Sequence, residues 1–151
     1  MSLVFSPDGT KLAAGGSNYT IQVWNLRAPE TVPRILRHSG RFTRDLAFSP
    51  DGQMLVSANE DWSIRWWDVN SGELLVAPRQ VRYDRMDSVA FSPDGKWLAS
   101  GSFDGIIDLW PGNLEEWKKK ACAIVNRKLT PAEWKTYLDD EPYETVCPDL
   151  P

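Results

Sequence analysis

Phe5-Ser-Pro-Asp-Gly9, Phe48-Ser-Pro-Asp-Gly52 and Phe91-Ser-Pro-Asp-Gly95 are three copies of one turn, set 43 residues apart. Proline pre-sets the φ angle that opens a β-turn and glycine supplies the left-handed position that closes it. Each copy therefore predicts a three-residue hairpin loop between two strands. Outward from the turn, a tryptophan recurs in phase at Trp24, Trp67 and Trp110. Two markers sharing one period make the chain an array of a single structural unit.

In the third unit the turn is flanked by Met86 to Phe91 and Lys96 to Ser100, and a further strand is expected at Ile106 to Trp110, all enriched in β-branched and aromatic residues. Unit two repeats the plan at Asp45 to Phe48, Gln53 to Ser57 and Ser63 to Val69, and unit one at Leu3 to Phe5, Lys11 to Ala14 and Thr20 to Leu26. A fourth strand is expected after units one and two, at Arg34 to Arg37 and Glu73 to Val76. Four antiparallel strands in about 43 residues is the size of a propeller blade. The in-phase sets Leu12, Leu55, Leu98 and Val23, Trp66, Leu109 read as blade core.

With 151 residues, 42% of them hydrophobic and 25% charged, the composition is that of one globular domain. A net charge of −4 gives no attraction to phosphate backbones, so no nucleic-acid partner is expected, and Lys118-Lys119-Lys120 reads as a solvated helix face. No run of about 20 apolar residues and no cleavable leader is visible, so no membrane partner is expected and the location expected is cytoplasmic. One histidine and two cysteines are a poor basis for a metal site, and no metal or cofactor is expected. Cys122 and Cys147 read as free thiols or as a disulfide pinning the tail. A Cys-His nucleophile using His38 would lack an orienting third group and an oxyanion loop, so no catalytic residue is assigned and the chain is not read as an enzyme.

On these turns and tryptophans the chain resembles the WD-repeat β-propeller family over Met1 to about Pro111. Blades of that family carry a hydrogen-bonded set, namely a histidine before the first strand, a Ser or Thr on the second, an Asp in the second turn and a Trp on the third. Unit two matches at His38, Ser57, Asp61 and Trp67, while unit three keeps Ser100, Asp104 and Trp110 with Arg82 near the histidine position. Unit one has Ala14, Asn18 and Trp24, and the closing Trp-Asp pair occurs only at Trp67-Asp68. The resemblance implies an all-β fold, a partial, open β-propeller of three blades over residues 1–111, with units at about 1–43, 44–86 and 87–111. Such propellers close with about 4–8 blades. The expectation is therefore a C-terminal fragment of a longer protein or a truncated product. The alternative is that two or more copies complete a ring.

Residues 112–151 predict a short helical hairpin packed on the propeller. Asn113 with Glu116, and Thr130 with Glu133, form two helix-start signals, each followed by apolar residues at helical spacing. The stretch from Ala121 also resembles the tail that follows the last blade in many bacterial WD-repeat signalling proteins, at Asn126-Arg127, Leu129-Thr130, Glu133-Trp134, Pro142-Tyr143 and Cys147-Pro148. The implied role is a sensor or scaffold, with no activity in this piece.

Tyr19 and Trp62 occupy one turn position in units one and two, where unit three has Gly105. In the family this turn and the loop before the first strand share one rim. That places Tyr19, Trp62 and Phe103 beside Arg41, Phe42, Arg82, Tyr83 and Arg85, a composition typical of protein-interface anchors. The expected partner is a protein, with possible self-association through open blade edges. The competing reading is that the rings pack between blades and carry stability alone, in a purely structural propeller remnant.

Overall fold

A computed structural model describes residues 1–38, 42–76, 79–80 and 85–113. The helical hairpin expected over 112–151, with Cys122 and Cys147, lies outside the described residues beyond Asn113.

The described part is all-β and forms three antiparallel sheets, one per repeat. The first runs β1 (Ser2–Phe5), β2 (Lys11–Gly15), β3 (Thr20–Asn25) and β4 (Arg34–Arg37) in sequence order. The second runs β5 (Thr43–Phe48), β6 (Met54–Asn59), β7 (Ser63–Asp68) and β8 (Arg79–Gln80). The third has β9 (Met86–Phe91), β10 (Trp97–Ser102) and β11 (Ile107–Pro111).

The repeated turn is built the same way three times. In the first copy the Gly9 N–H donates to the Ser6 carbonyl at 2.8 Å, Ser6 Oγ donates to Asp8 Oδ1 at 2.6 Å, and the Lys11 N–H donates to Ser6 Oγ at 2.9 Å. Asp8 also accepts from Thr10 and sits well below the usual carboxylate range because the Ser6 hydroxyl and Thr10 donate to its charged form. Ser6 pairs with Lys11, so the loop holds four residues, Pro7 to Thr10, and not the three expected from sequence. The serine hydroxyl takes the place of a ladder carbonyl, which widens the loop by one position.

The fourth strand of unit two also departs from expectation. Glu73 to Val76 contributes only an isolated bridge between Trp67 and Leu74, and the strand that pairs with β7 is the short β8, placing Ser63 opposite Gln80 and Ile64 opposite Arg79. Asp68 accepts from the Asn70 and Ser71 N–H groups and folds the chain into a turn at Gly72.

Strand alternation gives each sheet two faces, and adjacent sheets pack face to face. One face of the first sheet, with Ala13, Ile21, Val23 and Leu36, buries against Leu46, Phe48, Leu55 and Trp67 of the second. The other face of the second sheet carries Val56, Ile64 and Trp66, and the Trp66 ring meets Trp110 of the third sheet edge-on at 5.9 Å. Leu55, Leu98, Val23 and Trp66 are buried as expected. Leu12 is only half-buried and Leu109 is 62% exposed, because each lies on the outward face of a terminal sheet.

Asp45, on the inner strand of the middle sheet, ties all three sheets together. Its Oδ1 accepts from Ser2 Oγ at 3.0 Å, and its Oδ2 accepts from Ser88 Oγ at 3.1 Å and the Val89 N–H at 3.0 Å.

Candidate protein-binding rim

The second turn of each unit lies at the end of the sheets opposite the proline turns, beside the loop that enters the first strand. Four backbone bonds lie at this end, three of them within one sheet each and one, Thr43 to Gly16, between the first and second sheets. His38 N–H donates to the Tyr19 carbonyl at 3.2 Å, Thr43 to Gly16 at 3.1 Å, Glu60 to Phe42 at 2.9 Å and Phe103 to Arg85 at 3.1 Å. Tyr19, Phe42, Trp62, Arg85 and Phe103 thus share one rim. Arg41, Arg82 and Tyr83, also assigned to it from sequence, lie outside the described residues.

The rings on this rim face solvent. Tyr19 is 54% exposed, Trp62 44%, Phe42 42% and Phe103 63%. The Arg85 guanidinium stacks over the Phe103 ring, 4.0 Å from its centroid, and is held there by Asp87 at 3.0 Å. Tyr19 and Trp62 also have positive φ, 58° and 65°, at the position where unit three places Gly105 with φ 83°. A residue with a Cβ in this region costs about 1–2 kcal/mol over its ordinary conformations. Both units therefore carry a backbone strain that the third avoids, and what the strain displays is a half-exposed aromatic ring.

Beneath the rim the tryptophan of each unit reports how complete its polar set is. Trp67 Nε1 donates to Ser57 Oγ at 3.1 Å and Trp110 Nε1 to Ser100 Oγ at 2.9 Å. Unit one has Ala14 at the serine position, so Trp24 has no hydroxyl there. His38 and Asp61 are not brought together. His38 Nε2 lies 3.3 Å from Thr43 Oγ1, which donates to Asn59 Oδ1 at 3.3 Å, and the Asn59 amide donates to Ser57 Oγ at 3.2 Å. The path from His38 to Trp67 therefore runs through Thr43 and Asn59. His38 Nδ1 is buried with no hydrogen-bond partner among the described residues.

Asp61 instead takes a two-pronged bond from the buried Arg65, at 2.7 and 3.2 Å, and one from Ser63 Oγ at 2.5 Å. Burial opposes the charge on Asp61, but these donors and the Arg65 charge outweigh it and hold the carboxyl below its ordinary range. Burial, reinforced by the Arg65 charge, holds the His38 imidazole below its ordinary value despite Asp61. In unit three Asp104 accepts from the Ser102 hydroxyl and from the Ile106 N–H at 3.3 Å.

Sequence reasoning missed Asp45, Thr43, Asn59 and Arg65. A signal existed for Asp45, since the in-phase column Ser2, Asp45, Ser88 is polar on all three inner strands. The column Tyr19, Trp62, Gly105 likewise held a glycine that pointed to positive φ. At the opposite end, a groove of about 460 Å³ between the first two sheets is lined by Asp8, Lys11, Trp24, Arg27, Arg34 and Asn70 among others, and holds no residue of the rim. Among the described residues no group of three His, Cys, Asp or Glu side chains is placed to hold a metal ion.

The family model described as WD domain, G-beta repeat, matches residues 1–25, 31–68 and 84–111, well over half the chain. The chain belongs to the WD-repeat family. No curated protein matches it. WD repeats generally mediate protein–protein interaction, and the second matched segment runs from β4, the outer strand of the first sheet, to β7 of the second, so the family repeat is offset from the sheet by one strand.

Proposed function

We propose that this WD-repeat chain is a protein-interaction module that recruits a protein partner through the rim of Tyr19, Phe42, Trp62, Arg85 and Phe103. The observation that carries the reading is the pair of strained, half-exposed aromatics at Tyr19 and Trp62. Strain of this kind persists where the surrounding structure enforces it and concentrates at functional sites. Rings serving only stability would be expected to bury between sheets, as Trp66 and Trp67 do. Aromatic anchors with an adjacent arginine are the residue types that dominate binding energy at protein interfaces.

Among the described residues Arg44 is paired with Glu60, Arg65 with Asp61 and Arg85 with Asp87, so each of these three arginines carries a neutralising carboxylate. A partner offering apolar side chains and backbone hydrogen-bonding groups suits such a surface better than a polyanion does. The role is that of a scaffold or sensor module without catalytic activity, working in the cytoplasm. Its placement in a larger bacterial signalling protein rests on the resemblance of residues 121–151 to the tails of such proteins.

The test is selection of peptides from a random display library on the immobilised chain, followed by binding measurements with Trp62→Gly and Tyr19→Gly. Glycine is what unit three carries at this position, so both variants should keep the fold while losing most affinity for the selected peptides. Unchanged binding by both variants would remove the rim from the function.

A further inference from the structure

We infer that the groove between the first two sheets, at the end carrying the proline turns, binds a short acidic peptide segment of a protein partner. The groove holds no residue of the rim, so the inference stands apart from the rim reading. Both of its walls belong to sheets that pack on each other within the described residues.

Strand register explains how the groove forms. In the first sheet Ala13 pairs with Val23, Lys11 with Asn25, Ile21 with Leu36 and Val23 with Arg34. Lys11, Asn25 and Arg34 therefore stand on the same face as Ala13, Ile21 and Leu36, the face that buries against the second sheet. Toward the proline turns this face changes from apolar and sealed to polar and open, with Lys11 half-buried and Asn25 and Arg34 exposed. Val69 and Asn70, just after β7, form the facing wall, and Arg34 Nη1 pins β4 to that wall by donating to the Ser71 carbonyl at 2.8 Å. The loop between β3 and β4 supplies Arg27. It is held by the Leu26 N–H on the Thr10 carbonyl at 2.8 Å, the Arg27 N–H on Asn25 Oδ1 at 3.0 Å and the Thr31 N–H on the Ala28 carbonyl at 3.1 Å.

The groove is a donor surface. Its lining carries three cations, Lys11, Arg27 and Arg34, and one carboxylate, Asp8, in a chain whose net charge is −4. Asp8 is already engaged, since its two oxygens accept from Ser6 Oγ, the Thr10 N–H and Thr10 Oγ1. Glu30, on the same loop as Arg27, does not line the groove. Lys11 and Arg27 form no ion pair with a carboxylate among the described residues. Like charges gathered in a cleft focus their field on whatever enters it, and that field favours an anion. At the second joint the in-phase positions of Lys11 and Asn25 are Met54 and Asp68, so the positive lining is particular to the first joint and is no property of the repeat. The three cations stand on separate segments, β2, the β3–β4 loop and β4, and the space between the walls is about 460 Å³. That is room for a ligand of many atoms, and carboxylates spaced along an extended peptide can each meet one cation where a lone phosphate cannot.

The experiment is fluorescence anisotropy of a labelled hexaglutamate peptide with the full chain at low and high salt, repeated with Arg27→Glu, Lys11→Gln and Lys96→Glu. The wild type is expected to bind saturably and more weakly as salt rises. Arg27→Glu should weaken binding by about five- to tenfold and Lys11→Gln by about threefold. Lys96→Glu makes the same charge change at the third proline turn, outside the groove, and should stay within about twofold of the wild type. Amide chemical shifts of the wild-type chain give a readout that needs no variant: the peptide should move Lys11, Arg27 and Asn70 and leave Tyr19 and Trp62 in place. Absence of saturable binding would overturn the inference, as would a Lys96→Glu as damaging as Arg27→Glu or shifts confined to the rim. Displacement by inorganic phosphate at concentrations comparable to those of the peptide, or equal affinity for oligothymidylate, would overturn the peptide assignment and make the groove a general anion patch.

Discussion

Replacing Trp62 once by glycine and once by alanine separates the backbone cost of the rim turn from the loss of its ring. Both variants remove the indole, and they differ by a single Cβ at a position where φ is 65°. Left-handed backbone costs a residue with a Cβ about 1–2 kcal/mol. Glycine loses more freedom on folding, which costs it about 0.5–1 kcal/mol relative to alanine. The difference leaves Trp62→Gly more stable than Trp62→Ala by about 0.5–1 kcal/mol, the reverse of the usual order in regular structure. In a chain of this size that is a melting-temperature gap of about 1–4 °C. Gly105→Ala is the matched control. Its φ is 83° and an added Cβ would meet nothing within 4 Å, so its loss should be of similar size and purely conformational. Urea denaturation followed by far-ultraviolet circular dichroism reads all three. An alanine variant at least as stable as the glycine variant, or a Gly105→Ala that stabilises, would refute the assignment of strain to this turn. In peptide binding the two Trp62 variants should be equally impaired, because the ring and not the strain makes the contact.

Ala14→Ser should supply the hydroxyl that Trp67 and Trp110 find at 3.1 and 2.9 Å, raising stability by about 0.5–1 kcal/mol; calorimetry showing no gain would mean that Trp24 cannot reach it. Asp45→Ala removes the acceptor for Ser2, Ser88 and Val89 and should cost about 2–3 kcal/mol in chemical denaturation, with Asp45→Asn milder. A loss below about 0.5 kcal/mol would show that the three-sheet tie carries no stability. Stability should also fall in acid. The folded His38 pKa lies below the unfolded value of 6.5, so between the two the unfolded chain binds more protons and stability declines as pH drops. Asp61, also lowered, adds a second decline that begins below about pH 4. His38→Gln should remove the first decline and keep the second, measured as unfolding free energy against pH.

Much of the candidate rim was legible because repetition exposes it. Two aromatics and a glycine in one column at a turn tip stand out without coordinates, and Phe42 and Arg85 follow from the same phase. The polar set beneath was less legible. His38 and Asp61 match a pattern of residue types, yet Arg65 and Asn59 sit within reach and take the bonds that the pattern would give to each other. A buried guanidinium must be neutralised, and the nearest carboxylate does so at the expense of the imidazole.

The sequence by itself determined the period, the proline turns, the strands flanking them and the Trp–Ser pairs, because these depend on residues close along the chain or facing each other across one hairpin. Only the tertiary structure decided which columns are core. Leu55 and Leu109 are equally apolar letters, yet one is sealed by a neighbouring sheet and the other faces outward from the last. It also decided that Asp45 spans three sheets, joining residues 43 positions away on either side. Burial and cross-sheet bonding are properties of what stacks on what, and stacking is set by neighbours that local sequence does not contain.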